Sequence, residues 1–226
     1  MDSTAGPVSR RERPAKPALS RAGIVGTALT LIRDEGVERV TMRRLAKALD
    51  TGPASLYVYV RDTDELHAAV LDELLAEVDL SPVSASGPWR ERLYAVLRSY
   101  TSVLYAHPSL ARTAVVVRPS GPHSLALVEA LMQLLGQGGV APERAAWAVD
   151  LLLELATSAA AEHGSRQGAA DEKDFAALST AIRTAPADTY PAIAASAEDL
   201  LAGTNAERSR WRFDVLVAGI LNTPRP

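Results

Sequence analysis

Arg43 and Arg44, then Pro53-Ala54-Ser55, then Tyr57 and Tyr59, stand within one short stretch of the chain. The chemistry such side chains offer is hydrogen bonding rather than bond making. A guanidinium can meet a phosphate or a guanine edge, and a hydroxyl or phenol can meet a phosphate or a base. Candidates for catalysis are missing. The four histidines, His67, His107, His123 and His163, are scattered without HExxH or any other metal spacing, and His67 reads as a solvated helix side chain. The chain has no cysteine, which removes disulfides, thiolate metal sites and cysteine nucleophiles together. There is no G-x-S-x-G elbow, phosphate-binding glycine loop or dinucleotide fingerprint, and Gly136-Gln137-Gly138-Gly139 reads as a helix stop. No catalytic residue, metal or cofactor is expected.

The elements that would position these groups are helices. Ser20 can cap a first helix in which Ile24, Ala28, Leu31 and Ile32 recur at helical spacing up to Gly36. Thr41 can cap a second, with Leu45, Ala46 and Leu49 inward, ending at Asp50-Thr51-Gly52. Pro53 suits the first turn of a third helix, barely two turns long, with Leu56 and Val60 on one side. Asp62 with Glu65 is a capping-box pattern opening a fourth, whose stripe Leu66, Val70, Leu74 and Val78 predicts a run to about residue 80. Two short helices joined by a tight turn fit a helix-turn-helix: the second starts with small residues that enter a major groove, and Arg43 and Arg44 open the supporting helix. Spacing alone also allows a plain helical hairpin with its tyrosines in the core.

Of the 226 residues, 47% are hydrophobic and only 5% aromatic, and Ala and Leu abound, so the expected fold class is all-α. The charge is uneven. Residues 1–63 hold eleven Lys and Arg against seven Asp and Glu; residues 64–226 hold thirteen against twenty. A basic front on an acidic body suits a chain that meets a polyanion at one end. Residues 1–18 read as a disordered basic arm. Arg10-Arg11 could mimic an export signal, but Pro14 and Pro17 follow it and no cleavage site does. No uncharged apolar run approaches the roughly 20 residues of a membrane span, so a cytoplasmic protein without a membrane partner is expected.

Leu19-Ser20-Arg21 through Ile24, Ala28-Leu29, Gly36, Val40-Thr41-Met42-Arg43, Leu45-Ala46, Ser55-Leu56-Tyr57-Val58-Tyr59-Val60 and Glu65-Leu66 resemble, element for element, the DNA-binding domain of the tetracycline repressor (TetR) family. The resemblance covers residues 19–66 strongly. A looser one, carried by Pro88-Trp89-Arg90-Glu91-Arg92-Leu93, His107-Pro108, Tyr190-Pro191 and the run 213–220, extends to the C-terminal domain found with the tetracycline repressor itself. It implies that Thr41 and Arg43 meet DNA from the supporting helix, that Pro53, Ala54, Ser55, Tyr57 and Tyr59 form the recognition face, and that Tyr57 touches a phosphate. Many members carry a lysine just after the third helix. Here the chain reads Arg61-Asp62-Thr63-Asp64, so Thr63 offers a single neutral hydrogen bond and Arg61 or the arm takes up part of the grip.

The connector at 81–88, rich in Ser, Pro and Gly, divides the helix-turn-helix region 19–66, with its fourth helix leading to about 80, from a second domain at 82–226. That domain should hold helices near 88–106, 109–117, 122–136, 142–163 and 205–222, with a stretch broken by Pro186 and Pro191 between 170 and 202. The helix at 142–163 has a broad small-residue face, and the last is apolar nearly all round, which suits either a central core helix or a homodimer joined through these two helices. Asp150, Glu154 and Ser158 share a stripe that is either solvated or part of a cavity. Trp89, Tyr94, Tyr100, Tyr105, His107, Trp147 and Thr157, with Glu154, are the candidates for a pocket binding an unidentified small molecule, although each aromatic can equally fill the core. The expected function is a DNA-binding transcriptional regulator, a repressor released from a pseudo-palindromic double-stranded operator by a ligand. A ligand-insensitive repressor, an architectural DNA binder and a helical small-molecule enzyme are the alternatives.

Overall fold

The computed structural model describes residues 18–165 and 169–225, which form twelve α-helices and, among the described residues, no strand. Apart from residue 18, the expected basic arm lies outside them.

The first four helices start and stop where local chemistry dictates. α1 (Arg21–Glu35) is capped by the Ser20 hydroxyl, which accepts from the Gly23 amide at 3.1 Å. It closes on Gly36, whose φ of 86° few other residues adopt. α2 (Met42–Ala48) is capped by Thr41, whose hydroxyl accepts from the Arg44 amide at 3.2 Å. α3 (Pro53–Leu56) is a single turn, shorter than expected, because Tyr59 and Val60 both fold back onto the Leu56 carbonyl. α4 (Thr63–Leu75) is capped by Asp62, which accepts from the Glu65 amide at 2.8 Å. The Glu65 carboxylate returns the bond to the Arg61 amide, one residue short of a capping box, at 2.8 Å.

α4 stops five residues before the expected position. Ala76, Glu77 and Val78 tighten onto carbonyls three residues back, the Asp79 amide donates to the Ser99 hydroxyl at 2.8 Å, and the Asp79 carboxylate takes the Ser81 amide. Val78 is still delivered to the core, so the apolar stripe is completed by a turn rather than by the helix.

Ile24, Ala28 and Leu31 meet Leu45 and Ala46, then Leu56 and Val60, then Leu66 and Val70, all buried. Full burial of each large side chain contributes roughly 1.5–3 kcal/mol. The core continues into a bundle of α5 (Trp89–Tyr105), α6 (Pro108–Ala114), α7 (Pro122–Gln137) and α8 (Pro142–Ser165), with α8 packed against the other three. α4 joins the two groups, touching α1 as well as α5, α6 and α7. α9 (Ala169–Arg183), α10 (Pro191–Ala195) and α11 (Ala197–Leu201) pack chiefly on one another, and α12 (Asn205–Asn222) returns to α8. No described helix is long and apolar enough to cross a membrane.

Candidate nucleic-acid interface

The turn between α2 and α3 and the turn after α3 form one exposed tip. Pro53, Ala54 and Ser55 are all exposed there, held by the buried Leu56 behind them and by the Ser55 amide on the Gly52 carbonyl at 3.0 Å. Tyr57 is 53% exposed. Arg43 and Lys47 stand on the exposed side of α2 without an ion pair among the described residues, leaving their full charge for a polyanion. Thr41 is exposed too. Its oxygen is engaged with the Arg44 amide, so its own hydrogen remains able to donate outward.

Three expected contacts are placed differently. Arg44 turns inward: its guanidinium forks onto both oxygens of Glu35 at the end of α1, with one bond at 3.2 Å, and the two groups reinforce each other's charge. The hydrogen bond from Arg44 lowers the Glu35 carboxyl below its usual range and raises Arg44 in turn. Arg44 thus pins α2 to α1 instead of standing free for DNA. Tyr59 is half-buried against the core, because the turn at 57–59 rotates it away from the face that Tyr57 occupies. Arg61 stays exposed but lies 2.9 Å from the Asp62 carboxylate, which raises its basicity and draws the guanidinium from a phosphate. Thr63 is exposed at the first position of α4.

Val58 was not a sequence candidate, yet it is 78% exposed beside Tyr57. An apolar group there suits a thymine methyl. Its signal was an apolar residue between two tyrosines directly after a one-turn helix, where helical periodicity no longer assigns a face.

The C-terminal candidates do not come together as expected. Tyr100 and Thr157 meet in the core, hydroxyl to hydroxyl at 2.6 Å, and burial pushes the Tyr100 phenol up. Tyr94 packs on Phe213, with Arg210 over its ring. Tyr105 stacks on His163 at 4.1 Å, and His107 is half-buried at the start of α6. Trp89 lies against Gly138, and Glu154 is exposed. Trp147 is 56% exposed on the outer face of α8, with Arg225 over its ring, so it belongs to a surface rather than to a shared cavity. An open cleft of about 430 Å³ is lined instead by Asp79, Ala95, Arg98, Ser99 and Ser102. His67 is not solvated. It is half-buried, its Nε2 is enclosed without a hydrogen-bond partner among the described residues, and burial lowers its pKa.

Residues 24–70 match the pattern of bacterial regulatory proteins of the tetR family, and residues 81–222 match the tetracyclin repressor-like C-terminal domain. The chain belongs to the TetR family. The exposed tip is therefore the helix-turn-helix of a DNA-binding family. An HTH-type transcriptional regulator of Saccharopolyspora erythraea is 33% identical over 57% of this chain, which spans about half (54%) of that relative's length. A transcription regulator of Streptomyces coelicolor is 55% identical, with a TM-score of 0.78 over 93% of this chain and 98% of its own. The TetR family protein ActR of the same organism, solved in complex with actinorhodin, is 36% identical, with a TM-score of 0.81 over 91% and 96%. These relatives are regulators rather than enzymes.

Proposed function

We propose that this chain is a repressor that holds a pseudo-palindromic double-stranded operator as a homodimer and releases it when a small molecule binds within residues 82–226. The observation that carries the DNA half is the α2–α3 tip: Pro53, Ala54, Ser55, Tyr57 and Val58 stand exposed over a buried Leu56, flanked by Arg43 and Lys47, which make no ion pair among the described residues. Thr41, Arg43, Tyr57 and Thr63 hold phosphates, with Arg61 once it leaves Asp62; Ser55 and Val58 read bases.

The dimer reading rests on two outward stripes. Trp147 and Leu151 on α8, and Trp211, 66% exposed, with Val215 on α12, follow i, i+4 spacing along faces that stay largely exposed among the described residues, Arg225 alone lying over the Trp147 ring. Ala218 and Gly219 extend the second stripe, and a side chain added at Gly219 would meet open space. Pairing these faces across a two-fold axis buries them and sets two reading tips to span about 34–36 Å, one turn of DNA. For the ligand, the Tyr100–Thr157 pair is a buried polar point between α5 and α8, and actinorhodin, held by ActR, is the first molecule to try.

Selection of duplexes from a random pool by the full chain tests the reading. Enrichment of a two-fold motif, bound by two protomers and weakened steeply by salt as several phosphate contacts each release roughly 0.9 counterion, is the expected result. Retention without preference marks an architectural binder. Actinorhodin that raises the melting temperature while reducing affinity for the enriched duplex supports the switch; a panel of stabilising molecules none of which releases DNA marks a ligand-insensitive repressor.

A further inference from the structure

α7 begins without a capping side chain of its own. Its N-cap is Gly121 and its first residue is Pro122, so the amides of His123 and Ser124 are the donors left unmet by the helix. They are met from another helix. Asp72, on the last turn of α4, accepts from the Ser124 amide at 2.8 Å, and its second oxygen lies 3.5 Å from the His123 amide. The carboxylate is buried, with His123 Nδ1 at 3.6 Å from it, and the positive end of α7 favours its charge.

This approach depends on Gly121 having no side chain. A Cβ there would stand 2.2 Å from one Asp72 carboxylate oxygen, 2.4 Å from its Cγ and 2.8 Å from the other oxygen. The φ of Gly121 is −86°, which any residue adopts, so space alone requires the glycine. The Ser124 hydroxyl donates to the Pro119 carbonyl at 2.9 Å and secures the turn around the contact.

We propose that Asp72 is the positioning residue that couples the DNA-reading tip to the α5–α8 bundle. Its carboxylate, plugged onto bare Gly121 at the start of α7, is the pivot from which α4 carries α2 and α3. The inference rests on the regulator reading above and deepens it. From Asp72 to Thr63, where α4 leaves the reading tip, the helix extends about 13–14 Å at 1.5 Å per residue, so a tilt at the pivot is magnified at the DNA. Withdrawing the buried carboxylate leaves the half-buried amides of His123 and Ser124 without their acceptor at once. The contact is therefore either seated or unseated, with little between, as a two-state element requires.

The test uses the full chain, the duplex enriched by the wild type, and amide hydrogen exchange in the first turn of α7. Gly121→Ala and Asp72→Ala are each expected to reduce duplex affinity at least tenfold, well below their melting temperatures, and to speed exchange at His123 and Ser124. Combined, they are expected to bind no more weakly than Asp72→Ala alone, since removing the carboxylate makes room for the methyl. Leu134→Ala, in the same helix but outside the contact, should lower the melting temperature and leave duplex affinity within twofold. Wild-type affinity with both amides still protected overturns the proposal, and so do losses that simply multiply in the combined variant. If Gly121→Ala fails to fold, the isosteric Asp72→Asn decides in its place: unchanged affinity and exchange refute the pivot. If the wild type enriches no duplex, the regulator reading falls, while exchange still decides whether Asp72 holds α7.

Discussion

The first helices and those of the α5–α7 bundle begin differently, although α12 carries a capping box of its own, Thr204 with Glu207. α1, α2 and α4 bring their own caps, Ser20, Thr41 and Asp62, within three residues of the amides they satisfy. α5, α6 and α7 begin at Pro88, His107 and Gly121 with no side-chain cap, and groups distant in sequence tie the bundle together. Asp72 reaches the start of α7, and Arg92 donates to the Val83 carbonyl at 2.9 Å and to Gln137. A unit whose helix starts are fixed locally, with Arg44 on Glu35 pinning α2 to α1, keeps its shape while its surroundings move. A unit fixed by distant contacts changes whenever one of them is exchanged. The division suits a rigid reading head on an adjustable body.

Four measurements test that contrast. The largest effect is expected from Leu56→Ala, which empties the centre of the reading head and should cost about 2–5 kcal/mol in denaturant unfolding, with loss of duplex binding. In the body, Thr157→Val leaves the Tyr100 hydroxyl buried without its partner and should cost about 1–3 kcal/mol, while adding Tyr100→Phe should recover most of it in a double-mutant cycle. On the exposed tip, Ser55→Ala and Val58→Ala should change which base pairs are preferred, by about 1–3 kcal/mol at the affected position, and leave the melting temperature unchanged. Tyr57→Phe should instead weaken all sites alike, as read by competition with single-base variants of the duplex. The smallest effect is a pH slope. Burial holds His67 and His107 below the usual imidazole value, and Arg33 adds to this at His107. The unfolded chain therefore takes up protons first, near pH 6.5, so the stabilisation is complete above that value and is lost as pH falls toward the folded-state values. Thermal melts from about pH 7 to pH 5.5 should show the decline, and His67→Gln should flatten it.

The same contrast explains what the sequence made legible. Ser20, Gly36, Thr41, Pro53 and Asp62 announce their elements because cap chemistry acts over three or four residues, and the long helices follow from apolar spacing. Arg44 was misplaced because its partner, Glu35, lies on another helix, and nothing local distinguishes a phosphate-seeking guanidinium from one that meets a carboxylate. Tyr59 and Val58 exchanged faces because a one-turn helix gives periodicity too little length to act on. Composition alone groups the C-terminal aromatics as one cluster. Which of them face inward is set by the pairing of α5 with α8 and α12, and Trp147 and Tyr94 consequently point to different neighbours. Gly121 and Asp72 could not be matched from sequence at all, since their relation is purely spatial.

α12 is held at both ends by arginines. Near its start, Arg210 forks onto Glu91 at 2.6 and 2.7 Å and also takes Asp214; at its end, Arg144 from α8 donates to the Leu221 carbonyl at 2.8 Å. The ties to Glu91 and Arg144 oppose rolling and sliding of the helix on the bundle and hold the outward row of Trp211 and Val215 in one orientation. Such a surface is ready-made. For the homodimer proposed above, this means that little ordering entropy would be lost on contact, and assembly would run as a docking encounter at about 10⁵–10⁷ M⁻¹s⁻¹ rather than wait on the folding of either subunit.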